Sequence, residues 1–201
     1  MNSFVVNKEA VKGNVIVIEE ITDVNHIRNV LRLEEGETIR VVDGEYEYLC
    51  RIAELGKKSV MVEIYDKTGD IYSLNTEISA AIGIIKNDKM DLVIQKLTEI
   101  GISKIIPMIT KRSVVKIEEK KEKWEKITKE AQKQCRGVKP LEISNPLKLR
   151  EIEYKNYDMV VVPYEKEGGR NIVSIVENKN PKKVLYIIGP EGGFEESEIE
   201  F

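Results

Sequence analysis

The sequence predicts an α/β protein in which a small β-rich module precedes a larger domain built on parallel strands. Residues 1–72 consist of short strand-like runs with a single helical stretch. From residue 73 onward, continuous apolar runs alternate with amphipathic helical patterns, which is typical of a parallel sheet covered by helices. We therefore predict two domains, at 1–72 and 73–201.

The composition is that of a globular protein, with 41% hydrophobic and 33% charged residues. No apolar run approaches the ~18 residues that indicate a membrane span, and the N-terminus lacks the pattern of a secretory signal. The two cysteines are far apart in sequence and form no CxxC motif. We expect a cytoplasmic protein with free thiols and no membrane partner.

In the N-terminal module, "NVIVIE" and "KKSVMVEIYD" are strand-like, and "TDVNHIRNVLRL" has helical spacing behind a possible cap at Thr22. Asp43 and Gly44 separate two further strand-like runs, as in a hairpin. These elements predict a small β-barrel. The polar stretch 66–75, "DKTGDIYSLN", is the best candidate for the linker that follows it.

The second domain opens with a strand–helix–strand pattern. "ISAAIGIIK" and "ISKIIPMI" are apolar runs of the kind found in buried parallel strands. Between them, "NDKMDLVIQKLTEIG" has apolar residues at helical spacing, with Asn87 or Asp88 to cap its start and Gly101 to end it. This pattern predicts a βαβ unit with a right-handed crossover.

A basic segment and two more strands follow. Residues 111–140 hold eleven Lys/Arg and five Glu, a net charge of +6, and include a predicted helix at "KKEKWEKITKEAQKQCR". Such a segment on an acidic protein is typical of an RNA-facing surface, although a solvated charged helix explains the composition at least as well. The later runs "DMVVVPYE" and "KVLYIIGPEGG" predict two buried strands that each end in a loop.

The single histidine, His26, excludes many reaction classes. His-based zinc sites, Ser/His/Asp triads and Cys/His dyads all need a histidine beside other specific groups, and none surrounds His26. We therefore expect no metal site.

The composition of the loop "GPEGG" limits which kind of ligand it could bind. Glycine-rich loops commonly hold phosphate, but this loop matches neither GxxxxGK[ST] nor GxGxxG. Glu191 lies within it, and three more glutamates follow at 195, 196 and 198, so a phosphate would be repelled. A neutral or cationic ligand such as S-adenosylmethionine fits better. A tight turn without any ligand explains the glycines equally well.

Three motifs carry a family resemblance. "KNDKMDLVIQKLTEIGISKIIPMITKRSVVK", "KITKEAQKQCRGVKP" and "IIGPEGGFEESEIEF", in this order behind a β-rich module, resemble the RsmE family, ribosomal RNA small-subunit methyltransferases of the SPOUT class. The resemblance implies a PUA-like RNA-binding barrel at 1–72 and a SPOUT α/β domain with a trefoil knot at 73–201. It also implies S-adenosylmethionine as cofactor, methylation of one uridine N3 in 16S rRNA of the small ribosomal subunit, and a homodimer.

The resemblance carries an expectation about the end of the chain. Family members continue past "GPEGGF" into a strand and loop that complete the knot and the cofactor site. We therefore expect this 201-residue sequence to be C-terminally truncated, with an incomplete knot and reduced or no cofactor binding and activity.

Site residues follow from the motifs. Methylation of uracil N3 requires loss of the imide proton, and arginine donors over the flanking oxygens would lower the imide pKa. The predicted catalytic residues are Arg112 and Arg136. The predicted cofactor residues are Pro163, Tyr164, Glu165, Gly189, Pro190, Glu191, Gly192 and Gly193. The predicted RNA contacts are Arg28, Arg32, Lys86 and Lys89, of which the first two share a helical face by i, i+4 spacing.

Two other functions stay open on the sequence. One is an RNA-binding protein of the same architecture without catalytic activity. The other is a dinucleotide-dependent oxidoreductase, which the acidic loop and the lack of GxGxxG disfavour.

Overall fold

The computed structural model describes residues 1–113, 115, 117–169 and 171–200, and the contacts divide the chain into two compact units. The first unit contains Met1–Ser73 together with Gln132–Pro140. The second contains Leu74–Ala131 and the described residues from Leu141 onward. The return of 132–140 to the first unit was not predicted from the sequence.

The first unit is built on one six-stranded sheet. Its strands are β1 (Ser3–Val5), β2 (Val11–Lys12), β3 (Val15–Ile18), β4 (Thr38–Val42), β5 (Tyr46–Leu55) and β6 (Val60–Gly69). The strand order is β1-β4-β5-β6-β3-β2, in which β1 runs parallel to β4 and every other neighbouring pair is antiparallel. The helix α1 (Ile21–Asn25) continues into a π-helical turn at His26–Val30.

The apolar core of this unit comes from alternate strand residues and one face of the helical segment. It includes Phe4, Ile16, Ile18, Val24, Ile27, Ile39, Val41, Ile52, Val60 and Val62, all buried. The predicted hairpin at Asp43-Gly44 is confirmed: β4 and β5 pair on either side of it, and Gly44 has a φ of +93°.

Three local predictions for this unit are wrong. The helix begins at Ile21, one residue before the predicted cap Thr22. The predicted linker starts too early, because residues 66–69 belong to β6 and pair with β5. Arg28 and Arg32 do not share a helical face, because the helical segment ends at Val30 and Arg32 has a φ of +53°.

The second unit is built on a sheet whose described strand pairs are all parallel. Its strands are β7 (Glu77–Gly83), β8 (Lys104–Ile109), β9 (Glu142–Ile143), β10 (Leu147–Lys148), β11 (Met159–Val161) and β12 (Lys183–Ile188). The order is β10-β8-β7-β12-β11, with β9 also paired to β8. The predicted β7–helix–β8 unit is therefore present, and both later strands lie in the same sheet.

The described residues from 74 onward form the α-helices α2 (Asn87–Glu99), α3 (Glu122–Cys135), α4 (Ile172–Val176) and α5 (Glu196–Ile199). The last four residues of α3 belong to the first unit. The N-cap position of α2 is Lys86, without a side-chain cap, rather than Asp88; the cap predicted for Asn87 concerns a side chain outside the described part of the chain. Gly101 ends the helix as predicted, with a φ of +84°. None of the helices in the described ranges is long and apolar enough to cross a membrane.

Because the strands are parallel, their carboxyl ends lie at one edge of the sheet, where open α/β sheets bind ligands. Among the chain segments that leave this edge are 84–86 after β7, 110–113 after β8, 162–165 after β11 and 189–194 after β12. The order of the strands brings the last of these next to the first, since β12 and β7 are neighbours.

Candidate active site

The glycine loop that follows β12 is held by a close backbone contact with β7. A Cβ atom added at Gly83 would lie 2.5 Å from Cδ of Pro190 and 2.8 Å from the carbonyl carbon of Gly189, and it would collide with the Pro190 nitrogen as well. Only glycine permits such an approach of two backbones. Gly83 was missed by the sequence analysis, where it is one residue of an apolar strand.

Within the loop, the glycines have different roles. The amide of Gly193 donates to the carbonyl of Pro190 at 2.8 Å, and Gly193 has a φ of +66°, which a residue with a side chain rarely adopts. Gly189 lies against the buried Phe194, whose Cε2 would be 3.0 Å from an added Cβ. The loop is therefore a tight turn that packs against β7 on one side and against Phe194 on the other.

Arg112 contacts this loop from the turn after β8. Its Nη1 donates to the carbonyl oxygen of Gly192 at 2.9 Å, and a Cβ on Gly192 would lie 3.2 Å from Cβ of Arg112. The turn is fixed by two buried hydroxyl residues: the amide of Thr110 donates to Oγ of Ser113 at 3.0 Å, and the amide of Ser113 donates to the carbonyl of Thr110 at 3.2 Å. Arg112 therefore extends from a rigid base.

Lys111 binds the acidic helix start beyond the loop. Its Nζ donates to Glu195 and to Ser197, each at 2.9 Å, and its amide donates to Glu198 at 2.9 Å. Glu198 also accepts from the amide of Glu195 at 3.0 Å. These contacts attach the β8 turn to α5, so the carboxylates crowded at this helix start are partly neutralised.

Two more lysines pair with the acidic residues. Lys166 binds Glu196 at 2.5 Å, which raises the pKa of the lysine and lowers that of the carboxyl group. Lys89, in the first turn of α2, lies 3.5 Å from Glu191 of the glycine loop. Both pairs are exposed and contribute little to stability. Together with the Lys111 contacts, these pairs show that lysines from three different segments neutralise the glutamates at this edge of the sheet.

The segment after β11 completes the site. Tyr164 and Glu165 line a cavity of about 340 Å³ together with Arg112, Lys166, Phe194, Glu195, Glu196 and Ser197. Glu165 also lies close to Gly193, with its Oε1 3.7 Å from where a Cβ would be. In the described ranges, the Glu165 carboxylate has no ion pair. Arg112 and Glu165 thus lie against the consecutive glycines 192 and 193.

A second, larger cavity shares two of these residues. It has a volume of about 1000 Å³ and is lined mainly by apolar side chains, among them Val162, Tyr164, Ile175, Ile187, Phe194 and Ile199. Tyr164 and Phe194 line both cavities. The arrangement offers an apolar space next to a small polar one, which suits a ligand with an aromatic part and a charged part.

The structure brings most predicted site residues of the second unit together. Arg112, Tyr164, Glu165, Lys89 and the loop 189–193 are neighbours, as the contacts above show. Pro163, which precedes Tyr164 in the chain, is exposed, and Lys86 is exposed at the residue preceding α2. Arg28, Arg32 and Arg136 belong to the first unit instead. No group of histidine, cysteine and acidic residues that could hold a metal ion is present within the described residues.

The chain combines a parallel α/β unit that carries a tight glycine loop with a β-rich unit. The RNA methyltransferase domain model matches residues 73–201, and the RNA methyltransferase PUA domain model matches residues 18–65. The chain belongs to the family of ribosomal RNA small subunit methyltransferase E, as the following similarities show.

The relative from Bacillus subtilis, ribosomal RNA small subunit methyltransferase E, is 32% identical over 191 residues, which cover 89% of this chain and 75% of the relative. The protein of that name from Rickettsia conorii is 30% identical over 208 residues, covering 99% of this chain and 82% of the relative. Among solved structures, Lpg2936 of Legionella pneumophila, in complex with the bound cofactor SAM, has a TM-score of 0.80 and 28% identity, covering 98% of this chain and 83% of that one.

Proposed function

We propose that the chain methylates N3 of a uridine in 16S rRNA of the small ribosomal subunit, with S-adenosylmethionine as methyl donor. The observation that carries this proposal is the contact of Arg112 with Gly192, which places a guanidinium beside the glycine loop at the carboxyl edge of the parallel sheet. The family membership of the chain supports the reaction class.

The domain assignment is part of the proposal. We assign residues 1–72 to a PUA-like RNA-binding β-barrel and residues 73–201 to a SPOUT-type methyltransferase domain, acting as a homodimer in the cytoplasm. The two family models, which match 18–65 and 73–201, support the division. The segment 132–140 packs with the first unit and would contribute to RNA binding from there.

The residues of the site fit S-adenosylmethionine better than a phosphate ligand. The Glu165 carboxylate, which has no ion pair in the described ranges, would repel a phosphate and attract a sulfonium cation. The backbone groups of the loop 189–193 offer hydrogen bonds, and the apolar cavity beside Tyr164 and Phe194 can take an adenine ring. The residues that would hold the cofactor are Pro163, Tyr164, Glu165, Gly189, Pro190, Glu191, Gly192 and Gly193.

When bound, the cofactor supplies an electrophilic methyl group on a sulfonium. The chain's own residues have to orient the uracil and favour loss of its imide proton. Arg112 can do both, because a guanidinium has five N–H donors and, among the described residues, the carbonyl of Gly192 occupies one nitrogen. Donors directed at the uracil oxygens stabilise the negative charge that develops there. Arg112 therefore has the catalytic role in this proposal.

The remaining basic residues are assigned to RNA binding. Arg136, the second catalytic candidate of the sequence, belongs to the compact unit that contains the PUA match, and we assign it to RNA contact for that reason. Arg28, Arg32, Lys86 and Lys89 are proposed as further RNA contacts through phosphate groups.

A titration separates this function from the dinucleotide alternative. Isothermal calorimetry should show that S-adenosylhomocysteine binds more tightly than NADH, because the Glu165 carboxylate, which has no ion pair in the described ranges, repels a pyrophosphate. Saturable NADH binding with no response to S-adenosylhomocysteine would refute the methyltransferase assignment. Cofactor binding without methyl transfer to any rRNA would instead support a binding protein of the same architecture.

A further inference from the structure

Arg136 has an unusual backbone conformation for a residue with a long side chain. It follows the last residue of α3, Cys135, and has a φ of +59°. This position after a helix is commonly occupied by glycine, because a Cβ is crowded in the left-handed conformation. Within the described part of the chain, the exposed Arg136 guanidinium makes no hydrogen bond or ion pair. No contact in the described ranges therefore explains an arginine side chain at this position.

The conformation of Arg136 is fixed by a buried arginine of β4. The Arg40 side chain is 3% exposed, and its Nη2 donates to the carbonyl oxygen of Arg136 at 2.8 Å. Its other nitrogens are also used: Nε donates to Glu47 and Nη1 to Oγ of Ser3, each at 2.7 Å. A buried guanidinium is costly to desolvate, and these three bonds compensate for that cost. The bond from Nη2 is the one that contacts the backbone of Arg136.

Neighbouring contacts hold the same segment. Lys133 pairs with Asp23 at 2.7 Å, with side chains only 14% and 7% exposed. The side-chain amide of Gln132 donates to the carbonyl of Val138 at 2.8 Å. The Lys133–Asp23 pair therefore attaches the residues before Arg136 to the rest of the first unit, and the Gln132 bond joins the backbone on the two sides of Arg136.

We infer that Arg40 is a positioning residue that holds Arg136 in its left-handed conformation for contact with an RNA phosphate. The inference rests on the proposed function, since it takes RNA as the ligand. A guanidinium matches a phosphate with paired hydrogen bonds, and the free guanidinium of Arg136 has its donors available. A backbone fixed before binding lowers the entropy that binding would otherwise cost. Arg40 itself is buried and does not touch the RNA.

The experiment is a double-mutant cycle on RNA affinity with the full 201-residue chain. Fluorescence anisotropy gives the Kd for a labelled 16S rRNA transcript, at several salt concentrations, for the original chain, Arg136→Gly, Arg40→Lys and the double variant. Arg136→Gly suits the cycle because glycine keeps the left-handed backbone and removes only the side chain. Lys57→Ala, an exposed lysine between β5 and β6, controls for the loss of one positive charge.

We expect Arg136→Gly to raise the Kd roughly tenfold and to lower the slope of log Kd against log salt by about one, the signature of one lost phosphate contact. As a single substitution, Arg40→Lys should raise the Kd by a similar factor. In the Arg136→Gly background, it should leave the Kd unchanged. Lys57→Ala should change the Kd less than twofold. If Arg40→Lys does not fold, Ser3→Ala, which removes one of the three acceptors of Arg40, goes through the same cycle.

Three results would overturn the inference. The Kd of Arg136→Gly could equal that of the original chain, or Arg40→Lys could weaken binding equally in both backgrounds, which would mean that Arg40 does not act through Arg136. In both cases the original chain still binds RNA and the proposed function stands. Failure of the original chain to bind the transcript would overturn the inference and the proposed function together.

Discussion

Gly83 at the end of β7 lies directly beneath Pro190, with no room for a Cβ atom between the two backbones: a Cβ on Gly83 would be 2.5 Å from Cδ of Pro190. This contact joins the first and last parallel strands of the second unit in chain order, β7 and β12, at the edge where the glycine loop emerges. The position of the loop therefore depends on a residue that carries no functional group.

Gly83→Ala should displace the glycine loop. Because the atoms it meets are backbone and a proline ring, the strain cannot be relieved by a side-chain rotation, and overpacking of this kind costs about 1–3 kcal/mol. We expect a lower Tm and loss of S-adenosylhomocysteine binding in calorimetry. Gly69→Ala is the matched control, since an added Cβ there meets nothing within 4 Å. Equal cofactor affinity in the two variants would show that the contact does not position the loop.

Gly192→Val tests the contact between the glycine loop and Arg112. A branched side chain would force apart Arg112 and Gly192, whose contact already leaves only 3.2 Å between an added Cβ and Cβ of Arg112. We expect S-adenosylhomocysteine binding to be abolished, whereas Gly192→Ala should retain part of it. Calorimetry on both variants measures this, and circular dichroism checks that each is folded. Unchanged affinity in Gly192→Val would remove the loop from the cofactor site.

Glu165→Gln tests the charge preference of the site. The Glu165 carboxylate lines the small polar cavity and, in the described ranges, has no cationic partner, so it can act on a bound sulfonium. Removing one charge about 4 Å away in a solvated site costs about 1 kcal/mol, roughly fivefold in affinity. We expect weaker binding of S-adenosylmethionine and an unchanged Kd for the uncharged thioether S-adenosylhomocysteine.

Glu196→Gln is the control for this comparison, because Glu196 lines the same cavity but is paired with Lys166. It should alter the affinity for both ligands only slightly. A Glu165→Gln variant that weakens both ligands equally would mean that the carboxylate acts by hydrogen bonding or shape and not by charge.

The ionisation of Asp43 should make the stability of the first unit depend on pH. Burial tends to raise the pKa of this carboxyl group, but bonds from the amides of Tyr46 and Glu45 and from the Tyr48 hydroxyl outweigh it, so the pKa is below its usual value. A lowered pKa in the folded state stabilises the fold above the unfolded pKa of about 3.9. That contribution is lost as the pH falls through the folded pKa.

Asp43→Ala should therefore lower the free energy of unfolding by about 1–3 kcal/mol at pH 7, and the difference from the original chain should shrink at acid pH. Urea unfolding followed by circular dichroism at pH 7 and pH 3 measures this. Glu54→Gln, an exposed position on β5, should show neither effect. A difference that is the same at both pH values would assign the loss to the turn backbone alone.

The parallel sheet could be predicted because its strands are unambiguous in the sequence. "ISAAIGIIK" and "ISKIIPMI" are continuous apolar runs, and a helix between two such runs leaves few topologies. The runs "DMVVVPYE" and "KVLYIIGPEGG" likewise located the loops that follow β11 and β12. For β7 and β8, local sequence was enough because burial on both faces requires apolar residues at nearly every position.

Other features depend on contacts that are remote in sequence. Asp66–Gly69 is polar and looks like a linker, yet its backbone pairs with β5, and pairing does not require apolar side chains. Arg32 looks helical, but the π-helical turn, in which Leu31 donates to the carbonyl of His26, ends the helix before it. Gly83 and Arg40 act on partners far along the chain, Pro190 and Arg136, which no local pattern can reveal.

The central claim is methylation of uridine N3 in 16S rRNA, with Arg112 beside the reacting uracil. Nucleoside mass spectrometry of 16S rRNA from cells that lack the gene for this chain tests it most directly. We predict that 3-methyluridine is absent from these cells, returns with the original gene, and does not return with Arg112→Ala, whose product should still bind S-adenosylhomocysteine. An unchanged 3-methyluridine content after deletion, or loss of a different methylated nucleoside, would contradict the account.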